Sequence, residues 1–304
     1  MVKIIDLLNL IRYKNLLIVA LTQYLIRYSL IIPFLDSSIL NNFDFFLLVV
    51  STLFIASAGN IINDYYDIKV DKLNRRNIII GESVERETSK ILYITFNLVG
   101  IVIGFYLSFK INFWSLGFIN VFTAISLFLY SIYFKQRYLF GNLLISFLSS
   151  LVLLIIAFYE LLPKQSYNNN SLLVFQIIFV YSLFAFITSF VREIIKDLED
   201  LEGDKAMNYT TFAIINGVKK TKYILIIASL FILIGISYVL YIQISFNIYC
   251  FLYVLLFIEL PIIYFMLMLK KSQTKIEFNF LSKLIKLIMF FGIMSMLVFL
   301  LLMK

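Results

Sequence analysis

The chain has 304 residues, of which 62% are hydrophobic and only 14% charged, with a formal net charge of +8. Soluble domains run near half apolar and a quarter charged, so this composition points to a membrane-embedded chain. The lone cysteine, Cys250, excludes an intrachain disulfide, and the absence of histidine excludes His bases, His metal ligands and His pH switches. Acid–base or metal chemistry therefore falls to carboxylates, Lys, Tyr or Asn.

A bilayer core takes about 20 apolar residues as a helix. Taken in chain order, residues 1–14 lack a cleavage site and read as an amphipathic segment in the interface. Spans are then predicted near 15–35, 44–64, 90–109, 113–134, 140–161, 172–195, 222–243, 246–269 and 284–303. The fold class predicted is all-α, about nine transmembrane helices in one polytopic domain covering residues 1–304.

The basic residues sort by loop. Lys3, Arg12 and Lys14 precede span one. Lys69, Lys72, Arg75, Arg76 and Arg86 follow span two, and Lys135 and Arg137 follow span four. Lys205, Lys219, Lys220 and Lys222 follow span six, and Lys270, Lys271 and Lys275 follow span eight. The opposite loops carry only Lys110, Lys164 and the terminal Lys304. The positive-inside rule places the N-terminus in the cytoplasm and the C-terminus outside, in a plasma (inner) membrane. It also accounts for the positive charge without a nucleic-acid partner.

Two polar segments interrupt the apolar pattern, residues 60–77 and 192–211. Each carries three aspartates at identical spacing: Asp64, Asp67 and Asp71 in the first, Asp197, Asp200 and Asp204 in the second. A lysine follows each third aspartate, Lys72 and Lys205. Asn60 and Glu193 lie four residues before each first aspartate. On a helix this spacing puts the acids of each segment on one face. Like charges so placed repel, more strongly where the dielectric is low. A divalent cation removes that repulsion, and Mg2+ is typically held by one or two carboxylates plus substrate phosphates. A solvated acidic face would explain either segment alone. Two copies at matched spacing and matched topology argue for a shared metal–diphosphate site, with all six aspartates as candidate metal ligands and catalytic groups. Basic neighbours, Arg75, Arg76, Lys135, Arg137, Arg192 and Lys196, are candidates for phosphate oxygens, although cytoplasmic loops hold such residues anyway.

On these residues the sequence resembles the UbiA superfamily of intramembrane prenyltransferases. Its NDxxDxxxD motif matches Asn63, Asp64, Asp67 and Asp71, and its DxxxD motif matches Asp200 and Asp204, preceded by Asp197. Residues 129–142 are similar to the stretch after the family's fourth helix, with Tyr130, Ser131, Lys135, Gly141 and Asn142 in place. Members often follow the first motif with Asn-Arg-Pro, whereas Asn74 and Arg75 are followed here by Arg76.

The resemblance implies nine helices around a central cavity and Mg2+-dependent transfer of a prenyl chain from its diphosphate. Asn60, Asn63, Arg75, Tyr130, Lys135, Arg192 and Lys196 are then the expected substrate-binding residues. Residues 192–205 look most like the branch acting on geranylgeranylglyceryl phosphate; an aromatic acceptor of quinone synthesis is the rival within the family. Loss of diphosphate would leave an allylic cation, which Tyr65, Tyr66 and Tyr130 could face. A transporter of divalent cations or of another substrate is the alternative of another class, but transporters usually place their sites near the midplane on broken helices. The acceptor and the oligomeric state stay open. Finally, Arg27 and Glu259 each lie about twelve residues into a span, and such intramembrane charges are usually paired. They are expected to pair with each other, or Arg27 to read a polar head group.

Overall fold

The structure is a computed structural model that describes residues 4–35, 37–74, 77–163, 169–243 and 248–303. Among the described residues nine helices are long and apolar enough to cross a membrane: Tyr13–Phe34, Asn42–Leu73, Arg86–Lys110, Trp114–Ile132, Phe140–Leu161, Asn169–Glu199, Phe212–Tyr241, Ile248–Lys271 and Lys275–Leu301. All nine predicted spans are therefore present. The last begins well before its predicted start, because Lys275 and Lys283 mask a helical stretch that buries Phe278 and Leu281. The chain divides into two compact units.

The first unit comprises Met1–Arg27, Ile31–Lys135 and Leu151–Ile178. Its helices are α1 (Ile4–Leu10), α2 (Tyr13–Ile26), the single turn α3 (Ile32–Phe34), α4 (Asn42–Leu73), α5 (Arg86–Lys110) and α6 (Gly117–Ile132). Parts of α7 (Phe140–Leu161) and α8 (Asn169–Glu199) complete it. Helix α4 starts at Asn41, whose side chain accepts from the Asp44 N–H at 2.8 Å. Its 32 residues span about 48 Å, against a hydrocarbon core of about 30 Å. The apolar run ends at Ile62, so the polar turns from Asn63 onward project past the core.

Helices α4, α5 and α6 meet around a polar knot. Asn120 donates to Ser51 Oγ at 2.6 Å and to the Gly100 carbonyl at 2.9 Å, and Ser51 donates to that same carbonyl at 2.7 Å. Gly104 permits this approach: a Cβ there would lie 2.1 Å from Asn120 Nδ2. In lipid such groups must find partners within the protein.

The backbone widens to π-helix at Arg27–Ile31 and again at Leu255–Glu259. In each case a proline, Pro33 or Pro261, enters the first turn of the following helix. Proline has no N–H for the carbonyl one turn back, and the wider turn absorbs that gap. The first bulge carries Arg27, whose partner is Glu160, not Glu259. Arg27 Nη1 lies 2.9 Å from Glu160 Oε1 and Nη2 lies 2.8 Å from the Leu40 carbonyl. Glu160 also accepts from Ser38 Oγ and, at 2.7 Å, from the Ile39 N–H. The expected Arg27–Glu259 pair is thereby corrected. Counting residues along a span gives its depth but not its azimuth, and the long arginine side chain reaches the segment before α4 rather than staying at the midplane. Glu259 instead accepts from Ser237 Oγ at 2.6 Å.

The second unit comprises Tyr28–Leu30, Gln136–Ser150 and Phe179–Lys304. It adds α9 (Leu201–Ala206), α10 (Phe212–Gln243), α11 (Ile248–Val254), α12 (Leu260–Lys271) and α13 (Lys275–Met303). Its core joins Val191, Ile194 and Leu198 of α8 to Phe265 of α12 and Leu281 and Ile285 of α13. Within α10, Gly217 takes φ 72° and ψ 162°, a break that other residues resist. Two short strands pair in parallel, β1 (Arg137–Tyr138) with β2 (Thr210–Thr211). The Tyr138 ring rests 5.0 Å from that of Phe212, and its hydroxyl accepts from Asn216 Nδ2 at 3.1 Å.

Candidate active site

The first aspartate motif lies on the last turns of α4, in one unbroken helix as its spacing predicts. Asp64, Asp67 and Asp71 are all half-buried. Two cations from other parts of the first unit meet them. Arg12 Nη2 lies 2.6 Å from Asp64 Oδ1, and Lys135 Nζ forms an ion pair with Asp67 Oδ1. Arg12 is also within electrostatic range of Asp67 and Tyr130. Lys135 thus lies beside the first motif. The Asn60 amide donates to the Ile11 carbonyl at 2.9 Å, one residue before Arg12. Asn63 and Tyr130 are half-buried. Tyr65 and Tyr66 meet edge to face at 5.5 Å. Arg75, with Arg76, lies outside the described residues.

The second motif departs from the single helical face expected. Helix α8 ends at Glu199, Asp200 sits in the junction, and Asp204 belongs to the separate helix α9. Asp197 therefore shares α8 with Arg192, Glu193 and Lys196, whereas Asp200 and Asp204 are placed by the turn. At the junction Asp200 takes φ −96° and ψ 7°, outside the helical region, and makes no side-chain capping hydrogen bond. The turn still gathers charge: Glu193, Asp200 and Asp204 all act electrostatically on Asp197. Asn142 Nδ2 holds Asp197 Oδ2 at 3.0 Å. Arg192 and Lys196 both contact Glu193 Oε1, at 3.1 and 2.8 Å. Among the described residues Arg192 Nε is buried without a hydrogen-bond partner, a donor with capacity for an anion.

The donor set is hard oxygen throughout, which suits Mg2+. Among the described residues no three His, Cys, Asp or Glu side chains converge as a metal cage. Mg2+ is typically held by one or two carboxylates together with ligand phosphates. The sequence reading treats Arg12 only as an interfacial charge and does not foresee its contact with Asp64.

A family model described as the UbiA prenyltransferase family matches residues 17–298. The chain belongs to the UbiA prenyltransferase family. It is a multi-pass membrane prenyltransferase. A digeranylgeranylglyceryl phosphate synthase from Methanobrevibacter smithii is 33% identical over 242 residues, covering 79% of this chain and 81% of the relative. A synthase of the same name from Methanosphaera stadtmanae is 32% identical, over 80% of this chain and 83% of its own length. Among solved UbiA-type structures, one described as a digeranylgeranylglyceryl phosphate synthase in membranes superposes with a TM-score of 0.68 at 25% identity, covering 99% of each chain. A UbiA homologue from Archaeoglobus fulgidus, bound to DMAPP and Mg2+, shares the fold at a TM-score of 0.56 and 15% identity, covering 96% of this chain and 99% of its own.

Proposed function

We propose that this UbiA-family enzyme transfers a geranylgeranyl group from its diphosphate to geranylgeranylglyceryl phosphate, forming an ether lipid with Mg2+ as cofactor. The observation that carries the acceptor is the run of similar relatives, each named for that product and aligned over most of its length. The carboxylate motifs with adjoining cations support the diphosphate half of the reaction. The Mg2+ and DMAPP held by the Archaeoglobus fulgidus homologue support it further. The loops rich in Lys and Arg favour a cytoplasmic active site, a cytoplasmic N-terminus and an external C-terminus.

In this reading Asp64, Asp67 and Asp71, with Asp197, Asp200 and Asp204, hold the metal. Bound Mg2+ would neutralise charge as it builds on the departing diphosphate oxygen. Lys135, Arg192 and Lys196 bind phosphate oxygens, joined by Arg75. The allylic C–O bond breaks, and its electron pair leaves with diphosphate. The acceptor hydroxyl oxygen bonds to the allylic carbon, and its proton passes to a carboxylate or to the released diphosphate. With an electrophile this reactive a weak base suffices, consistent with a chain that has no histidine. Apolar helix walls keep water from quenching the cation.

The test is a transfer assay on detergent-purified protein with geranylgeranyl diphosphate and either geranylgeranylglyceryl phosphate or a hydroxybenzoate, with Mg2+ or EDTA. Mg2+-dependent ether product is expected. Aromatic product alone would reassign the acceptor. Absence of any Mg2+-dependent diphosphate release would reject the chemistry and favour a transport role.

A further inference from the structure

We propose that Asn60 and Arg12 form a positioning pair for Asp64, with Asn60 acting through the backbone of the α1–α2 junction rather than on substrate. The proposal rests on the prenyl-transfer reading for its kinetic consequences, but the geometry stands apart from it.

Asn60 lies one turn before Asp64 on α4, so both side chains project from the same face. They grip consecutive residues of one junction. The Asn60 amide holds the Ile11 carbonyl at 2.9 Å, and Asp64 holds the Arg12 guanidinium at 2.6 Å. Between them the chain makes a sharp bend, because Arg12 adopts φ 56° and ψ 51°. A residue with a Cβ resists that left-handed conformation by about 1–2 kcal/mol. The bend is held from both sides. Leu10 is fully buried against Ile61, Ile80 and Val84 before it, and Asn60 fixes the intervening carbonyl.

A junction needed only to turn the chain would favour glycine or asparagine at this position. Arginine there is explained by what its side chain reaches. Its guanidinium lies on Asp64 and within electrostatic range of Asp67 and Tyr130. Partners that orient a ligating carboxylate act as its outer shell, and their loss costs about 10–100-fold in affinity or activity.

The experiment compares Asn60→Ala, Arg12→Gly and the double variant in detergent-purified protein. Glycine tolerates the left-handed turn, so Arg12→Gly removes the guanidinium and keeps the bend. We expect each single change to lower kcat/KM about tenfold and to raise the Mg2+ concentration giving half-maximal rate. The double variant should be no worse than either single one. A readout independent of catalysis is trypsin cleavage after Arg12, expected to quicken several-fold in Asn60→Ala as the guanidinium leaves Asp64. Independent losses that multiply to about a hundredfold in the double variant would overturn the pair, and so would unchanged cleavage. If Asn60→Ala does not fold, Arg12→Lys decides: a lysine that restores most of the activity lost in Arg12→Gly supports positioning by charge, and an equal loss in both rejects it. A wild-type protein without Mg2+-dependent transfer would reject the functional reading alone, leaving the cleavage comparison to judge the pair.

Discussion

The first unit contains two arginine–carboxylate contacts of similar length that differ in everything around them. Arg27 and Glu160 are sealed, with side-chain exposures of 3% and 0%, whereas Arg12 and Asp64 are open at 39% and 21%. The sealed pair is close to saturated, with Arg27 Nε left as a buried donor without a partner among the described residues. Glu160 takes hydrogen bonds from Arg27, Ser38 and the Ile39 N–H, while Arg27 also reaches the Leu40 carbonyl and Asn42 Oδ1 and lies 4.5 Å from the Phe45 ring. The open pair ties one oxygen of Asp64 to one nitrogen of Arg12. Helix α4 links the two sites, from Asn42 at its start to Asp64 roughly 33 Å along its axis. Near-saturation fits a structural pair. Spare ligand capacity fits one whose second partner is a substrate or an ion. The difference lies in satisfied valence, not in residue type.

The largest effects should separate the two sites by what they damage. Asp67→Asn keeps shape and removes charge. It should lower the transfer rate about 10^3-fold, equivalent to about 4 kcal/mol of transition-state stabilisation. Its thermal unfolding should change far less than its rate, because asparagine keeps the shape and can still accept a hydrogen bond from Lys135, whose pair with Asp67 is partly buried at 10% and 18% exposure. An equal loss of folding stability would mean that the motif is a structural element. Glu160→Ala should do the reverse. Removing one partner of a buried pair strands Arg27 and costs about 3–5 kcal/mol, visible as a lowered unfolding temperature and poor recovery in mild detergent. The folded fraction should keep near wild-type turnover. Turnover that falls in proportion to Asp67→Asn would erase the distinction.

Much of this was legible in the sequence, for identifiable reasons. Nine apolar runs are a strong signal because lipid leaves few alternatives to a helix. The first motif kept its predicted face because α4 continues unbroken through Asp71. The second did not keep the single helical face expected of it, since α8 stops at Glu199. Glu160 closes a long apolar run just before Pro163 and so reads as an ordinary interfacial acid. Nothing local tells that it is the partner of Arg27. Arg12 was hidden for a different reason. A left-handed arginine has no sequence signature, and its partner lies 52 positions away.

A smaller pair of substitutions sharpens the comparison by removing one supporting hydrogen bond at a time. Ser38 donates to Glu160 and to the Leu40 carbonyl within the sealed network, and Asn142 donates to Asp197 of the second motif. A neutral hydrogen bond contributes about 0.5–1.5 kcal/mol, and more when it serves a charge. Ser38→Ala should therefore lower stability by about 1–2 kcal/mol and leave kcat unaltered, because Glu160 keeps Arg27 and the Ile39 N–H. Asn142→Ala frees a carboxylate that already feels three neighbouring acids. Its expected signature is a rate lowered about tenfold, with a steeper demand for Mg2+ and little change in unfolding temperature. Added Mg2+ should recover part of that rate and none of the stability lost in Ser38→Ala. Recovery of both, or of neither, would show that the sealed and open sites are not separated by spare valence after all.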